Sequence, residues 1–268
     1  MRKILYQIIQ KLGYTVIANF ELSRLRNDLW VSARNSSLLY FLSQITATGL
    51  TPLSKVSEIF RESKSQLGQD VLALSLVGLD KPGYFVEFGA TNGVDLSNTY
   101  MLEKHYGWNG ILCEPARSWH SELFENRTSI IDTRCVFNSS GEELEFSESS
   151  AGELSTLSDF ISADHHARAR INLATYNVAS VTLNDLLEEH RAPNYIDFIS
   201  IDTEGSEYQI LSDLDFTKYS FGLICVEHNF TENRGKIFSL LSSNGYTRVF
   251  EEISQWDDWY VNKNHNLK

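Results

Sequence analysis

The sequence predicts an α/β fold built on a mostly parallel sheet, and three observations carry that prediction. From about residue 65 short apolar strands alternate with helical segments, the pattern of a parallel-sheet domain. Residues 84–93, YFVEFGATNG, read as a buried strand running into a small-residue turn. Such a turn puts bare backbone N–H groups at the carboxyl edge of a sheet, where open α/β folds bind nucleotide-like ligands. Acids mark three strand ends in succession: Glu87, Glu114 and Asp202. The ordered set points to a nucleoside ligand and a reaction site on one rim. The turn itself reads G-x-x-x-G and lacks the G-x-G-x-x-G of a dinucleotide fold.

The elements follow in order. Leu5, Ile8, Ile9 and Leu12 fall at i, i+3, i+4 and i+7, an amphipathic stripe flanked by Arg2, Lys3 and Lys11. Residues 1–60 therefore read as an N-terminal helical extension, separate from a domain over 61–268. They carry seven Lys/Arg against three Asp/Glu, so +4, which leaves −16 for the remainder. Such a helix packs on the main domain or on a second copy of the chain, or lies on an anionic membrane surface.

Residues 69–79 read as a helix, 84–88 as the first strand and 99–105 as the next helix, with Gly107 just past its end. The second strand is 110–114, and a helix runs on through Leu123. The third strand is expected at about 133–137, with a short strand at 143–146 after Gly141. The segment 147–177 breaks the alternation and is rich in Ser, Ala and charge. It reads either as a substrate lid or as a surface excursion. Residues 178–187 form a strand and helix leading into the fourth strand, 196–202. A helix at 207–214, a fifth strand at 222–227, a helix over 237–241 and a final antiparallel pair, 246–250 with 259–261, complete the domain.

Composition narrows the function classes. The 268 residues are enough for one large domain with a sizeable core. A net charge of −12 argues against a nucleic-acid partner, which needs a basic face for its phosphates. Cys113, Cys135 and Cys225 are an odd set without C-x-x-C, so they read as small buried hydrophobes in a reducing compartment. No apolar run reaches the roughly 18 residues that span a bilayer. The start, MRKILYQIIQKLGY, lacks a signal-peptide core and cleavage site. The expectation is a cytoplasmic protein, with the first helix available for peripheral membrane contact or homo-oligomer formation.

Five blocks in fixed order give the chain a resemblance: SQLGQD at 65–70, FVEFGATNG at 85–93, ILCEP at 111–115, DFISIDTEGSEYQIL at 197–211 and VEHN at 226–229. From about Ser65 to Tyr260 the sequence resembles the FkbM-type family of S-adenosylmethionine-dependent methyltransferases. That resemblance implies a Rossmann-like class I methyltransferase fold, a seven-stranded sheet with its last strand antiparallel and helices on both faces. It implies S-adenosylmethionine as methyl donor. By position, Glu87, Gly89 and Ala90 would contact its methionine part and Glu114 its ribose, with Asn92 and Pro115 also among the cofactor-binding positions. Asn138 and Ser139 would sit near the adenine, Gln66 over the cofactor, and Asp202 close to the sulfonium methyl. Asn92 is a departure, because the family turn often has Asp before its second Gly.

Methyl transfer is an in-line displacement, so most of the catalysis comes from alignment. An alcohol acceptor also needs a base, or a metal that lowers its pKa. Asp202, Glu204, Glu227 and His228 lie at the ends of the fourth and fifth strands. His228 is the first candidate base, since neutral imidazole is available near pH 7. The alternative is a histidine that only bonds its neighbours. Asp202, Glu204 and Glu227 offer hard oxygens suited to Mg²⁺, or act as hydrogen-bonding groups and caps. His165 and His166 are a weaker metal pair, because adjacent residues on one element point apart. Tyr176, Trp256 and Trp259 either line an acceptor groove or belong to the core.

The reading is an O-methyltransferase acting on a hydroxyl of a sugar in a polysaccharide or glycolipid, or on a natural product. One alternative is a non-catalytic binding protein that keeps the fold. Another is an N- or protein-directed methyltransferase. Against the latter, IDTEG puts carboxylates where amide-targeting enzymes place Asn and Pro.

Overall fold

The computed structural model describes residues 53–149, 154–161 and 174–263. The chain divides into two compact units, 1–44 and 45–268, and all described residues lie in the second. The amphipathic stripe at 5–12 and the His165–His166 pair lie outside the described residues. The expected domain boundary at residue 60 falls inside a helix, α1 (Leu53–Glu62).

Three strands form the centre of the main sheet: β1 (Tyr84–Phe88), β8 (Tyr195–Ile201) and β9 (Ser220–Glu227). Phe85, Val86, Ile199, Ile201, Ile224 and Val226 are fully buried. Both faces of these strands are covered, which is why they read as continuous apolar runs. Each such side chain contributes about 1.5–3 kcal/mol by leaving water.

Beyond β1 lie β2 (Asn109–Cys113) and β3 (Ile130–Asp132). Beyond β9 lie β11 (Asp257–Asn262) and β10 (Tyr246–Val249). The order is β10-β11-β9-β8-β1-β2-β3. All pairs are parallel except those made by β11, which runs antiparallel to both β9 and β10. This is the Rossmann-like methyltransferase sheet that the resemblance implies. The strand order reverses between β1 and β8, and a crevice opens at such a switch point. Phe88 pairs with Ile201, so Gly89 and Asp202 leave the sheet side by side.

Helices flank the sheet. Helix α2 (Gln69–Val77) is buried from Gln69 through Ser75. Helix α3 (Tyr100–Tyr106) stops at Gly107, whose φ of 68° ends it in the left-handed conformation. Helix α4 (His120–Asn126) follows β2, and α5 (Leu183–Glu189) is capped by the Thr182 hydroxyl, which accepts the Asp185 N–H at 3.1 Å. Helices α6 (Glu207–Ser212) and α7 (Asn233–Ser243) follow β8 and β9. Among the described residues no helix is long and apolar enough to cross a membrane.

Two expectations are corrected. The third strand of the main sheet is Ile130–Asp132, and Cys135–Phe137 belongs to a second sheet. That sheet has four strands in the order β4-β7-β5-β6: β4 (Cys135–Phe137), β5 (Glu143–Glu148), β6 (Thr156–Leu157) and β7 (Ala174–Thr182). Both ends of the expected lid, 147–148 and 174–177, therefore lie in paired strands, because β5 and β7 run antiparallel from Glu143–Ala179 to Glu148–Ala174. Phe146, Leu157, Val178, Cys135 and Ala116 form a small core under this sheet. The cysteines behave as expected: all three are free and buried.

Candidate functional site

The ends of β1, β2, β8 and β9 open into a cavity of about 410 Å³, closed on one side by β4, β5 and β6 of the second sheet. Gly89 makes this convergence feasible. Its φ is +73°, and a Cβ there would stand 2.2 Å from the Asp202 carbonyl oxygen. Only glycine allows the two strand ends to approach so closely.

The turn after β1 does not present bare amides, as the sequence suggested. The Gly89 and Ala90 N–H groups donate to the Cys113 carbonyl at 3.1 and 3.3 Å. The Thr91 N–H donates to Glu114 Oε2 at 2.7 Å, and the Ala116 N–H to Glu114 Oε1 at 2.8 Å. Glu114 is thus fixed by backbone while its carboxyl faces the cavity. Burial pushes its pKa up to about 7, against the two N–H bonds that favour the charged form. Glu87 is fixed as firmly. Its Oε1 accepts the Asn98 N–H at 2.6 Å, and its Oε2 accepts the Ser97 hydroxyl at 3.0 Å and the Thr99 hydroxyl.

The acids after β8 and β9 contrast with these. Asp202 lines the cavity and is exposed there. The protein packed around it still desolvates its carboxylate and pushes its pKa up to about 7, reinforced by the Asp257 charge and opposed by a hydrogen bond with Glu227. Glu227 is buried and held well above the usual carboxylate range, first by burial and then by the Asp202 charge. Its Oε2 has no hydrogen-bond partner. Carboxylate oxygens of Asp202, Glu204 and Glu227 lie within 4.8 Å of one another. Glu204 adopts φ 57°, and its Oε2 is 3.5 Å from Asn229 Nδ2. Among the described residues the one basic side chain on the cavity wall is Arg134. It is committed to Asp132 at 2.7 Å and Glu189 at 2.6 Å.

The structure brings Gln66, Glu87, Gly89, Glu114, Pro115, Asp202, Glu204 and Glu227 to this cavity. Ala90 is buried beside it. Asn92 faces away: its Oδ1 accepts the Val94 and Asp95 N–H groups, and its Nδ2 donates to Asp95 and Glu122. Asn138 and Ser139 do not line the cavity. The chain enters the second sheet at Cys135, so Cys135 and Val136 occupy that wall instead.

His228 is also outside the cavity. Its Nδ1 accepts the Phe230 N–H at 3.0 Å, and its unpartnered Nε2 lies 3.7 Å from Asp258 Oδ1. Burial lowers its pKa, against the Asp258 charge. The ring has no free acceptor directed at the reaction rim. Of the aromatic candidates, Trp256 lines the cavity, Trp259 is core, and Tyr176 lies under the Arg117 guanidinium at 4.1 Å.

Several site residues escaped the sequence reading. Gln69 donates to Asp257 Oδ2 at 2.8 Å, and both line the cavity. Gln69 shares a block with Gln66, and Asp257 pairs across the sheet with Glu227, so both left a trace in the sequence. Phe146 and Leu157 left none, because the second sheet was not foreseen.

A model of the methyltransferase FkbM domain matches residues 87–261. No curated protein matches the chain. Among the solved structures that resemble it are the following, each at 12% identity. The precorrin-6y C5,15-methyltransferase of Geobacter metallireducens GS-15 has a TM-score of 0.37, with 67% of this chain and 72% of that chain covered. The methyltransferase FkbM of Methylobacillus flagellatus KT scores 0.40, covering 77% and 57%. The fibrillarin pre-rRNA processing protein of Methanococcus jannaschii scores 0.35, covering 74% of each.

Proposed function

The chain belongs to the FkbM methyltransferase family, and on that premise we propose that it methylates a hydroxyl of a carbohydrate or small-molecule acceptor. The observation that carries the oxygen acceptor is Asp202. It is a carboxylate at the switch point, open to the cavity and held near neutrality. A group poised there takes the proton of a hydroxyl as the new bond forms.

The donor set fits S-adenosylmethionine. The cavity wall is acidic, which suits a cation. Glu114 keeps lone pairs for a ribose diol beyond its two backbone bonds, and Cys135 and Val136 offer an apolar wall for a base. S-adenosylmethionine, when bound, supplies an electrophilic methyl on a cationic sulfur. The chain's own work is to hold the acceptor oxygen in line and to receive its proton at Asp202. Trp256, also on the wall, offers a ring face for a sugar.

A second reading has its own observation. The clustered oxygens of Asp202, Glu204 and Glu227 suit a hard divalent cation such as Mg²⁺, which would lower the hydroxyl pKa instead. Activity that survives EDTA excludes it.

The test is calorimetric titration with S-adenosylmethionine and S-adenosylhomocysteine, with Glu114→Ala as control, followed by labelled methyl transfer to neutral glycans. Binding that weakens by about 1.5–3 kcal/mol in the control supports the ribose contact. A chain that binds neither ligand overturns the reading.

A further inference from the structure

Arg127, just past α4, takes no part in the chemistry above, yet its side chain is fully buried behind the turn that floors the cavity. We infer that Arg127 is a positioning residue: it fixes the 93–99 segment, and through Glu87 sets affinity for the amino-acid end of the cofactor. The inference rests on the S-adenosylmethionine reading.

The guanidinium meets acceptors on every side. Nε donates to Glu103 Oε2 at 2.8 Å. Nη1 donates to the Gly93 carbonyl at 3.1 Å and to Ser97 Oγ at 3.2 Å. Nη2 donates to Thr99 Oγ1 at 2.9 Å. Glu87 Oε2 lies 3.7 Å from Nη1. The rings of Phe85 and Tyr100 flank the group at 5.6 and 6.0 Å. A Cβ on Gly93 would come within 2.6 Å of Arg127 Cγ, so the arginine stem lies directly against the turn.

Proton direction follows from these contacts. The Ser97 and Thr99 hydroxyls each accept from Arg127, so each must give its own proton to Glu87. A cation on one side and a carboxylate on the other leave both hydroxyls a single orientation. The same segment delivers Asp95, Leu96 and Asn98 to the cavity, and Asn98 Nδ2 donates to Ser200 Oγ of β8 at 2.9 Å. The rim beside Glu87 is therefore held from behind by one planar, five-donor group. A lysine ammonium, with three donors and no fork, cannot reproduce that. Glu103 completes the anchor by accepting Thr128 N–H, Thr128 Oγ1 and Ser129 Oγ at 2.8, 2.9 and 2.6 Å.

A role confined to folding would loosen the whole cavity equally. A positioning role at Glu87 affects only ligands that carry the amino-acid end. Calorimetry well below the melting temperature separates these, using S-adenosylhomocysteine and 5′-methylthioadenosine, which lacks that end. Arg127→Lys should raise the S-adenosylhomocysteine Kd about tenfold or more, the scale of one lost charge-assisted hydrogen bond, and leave 5′-methylthioadenosine unchanged. Thr99→Val, which keeps the buried charge paired with Glu103, should show the same selectivity and guards against a variant that fails to fold. Equal weakening of both ligands, or an unchanged S-adenosylhomocysteine Kd in folded variants, overturns the inference. A wild-type chain that binds neither ligand overturns the cofactor reading and this inference with it.

Discussion

The two halves of the cavity are built from the same residue type in opposite ways. On the β1–β2 side, Glu87 and Glu114 have both oxygens engaged by backbone N–H groups or hydroxyls. On the β8–β9 side, Asp202 and Glu227 face each other, with an oxygen of Glu227 left unpartnered. Bonds to the charged form tie a carboxylate down and make it a rigid acceptor. Desolvation raises the proton affinity on both sides, of Glu114 as of Asp202, but only Asp202 and Glu227 meet a second acid in place of backbone donors. Satisfied acids suit binding, and unsatisfied ones suit proton transfer.

The largest expected effect lies on the unsatisfied side. Asp202→Asn should lower turnover by about a hundredfold to ten-thousandfold, the range for a lost general base, and leave S-adenosylhomocysteine affinity nearly intact. Equal losses in both would mean that the two halves are not divided in this way.

A pH series sharpens the comparison. Glu114 and Asp202 have folded pKa values of about 7, raised above the ordinary 4.5 and 3.8. A raised carboxyl pKa means that the fold prefers the protonated form. That contribution is complete below the ordinary pKa and is lost as pH rises through about 7. Stability of the ligand-free chain from urea melts should therefore fall between about pH 4.5 and 8. Asp202→Asn and Glu114→Gln should each flatten the slope. Turnover should move the other way, rising as Asp202 ionises. Glu103 acts only at the acid end: burial, the largest single effect, raises its pKa, but the Arg127 charge and the hydrogen bonds from Ser129, Thr128 and Arg127 together take it down to about 2. Stability that is flat or rises across this window would contradict the buried-acid account.

The smallest effect is expected at His228. His228→Gln removes a ring that faces Asp258, so turnover should stay within experimental scatter while stability falls by about 1 kcal/mol for one hydrogen bond. A tenfold loss of turnover would return the base to the imidazole.

The sequence revealed what depends on burial and on strand ends. β1, β8 and β9 are covered on both faces, so their composition alone marks them, and the acids that follow interrupt apolar runs. It misplaced the third strand because Ile130–Asp132 is three residues long with Ile130 at an exposed edge. The more apolar Cys135–Phe137 drew the assignment, and the second sheet went unseen with it. His228 lies outside the cavity for a conformational reason. Asn229 and Phe230 follow it with φ of 42° and 55°, and that tight turn directs the Phe230 N–H into the imidazole. Side-chain direction after a left-handed turn leaves no periodic trace in a sequence.

The contact between Gly89 and the Asp202 carbonyl bears on natural variation. Every residue other than glycine carries a Cβ, and there it meets backbone oxygen of the partner strand rather than a side chain that can swing aside. Any missense change at residue 89 therefore has to push the two strand ends apart. A copy that lost this glycine would lose the close joint between the ends of β1 and β8, even where every acid on the rim is retained.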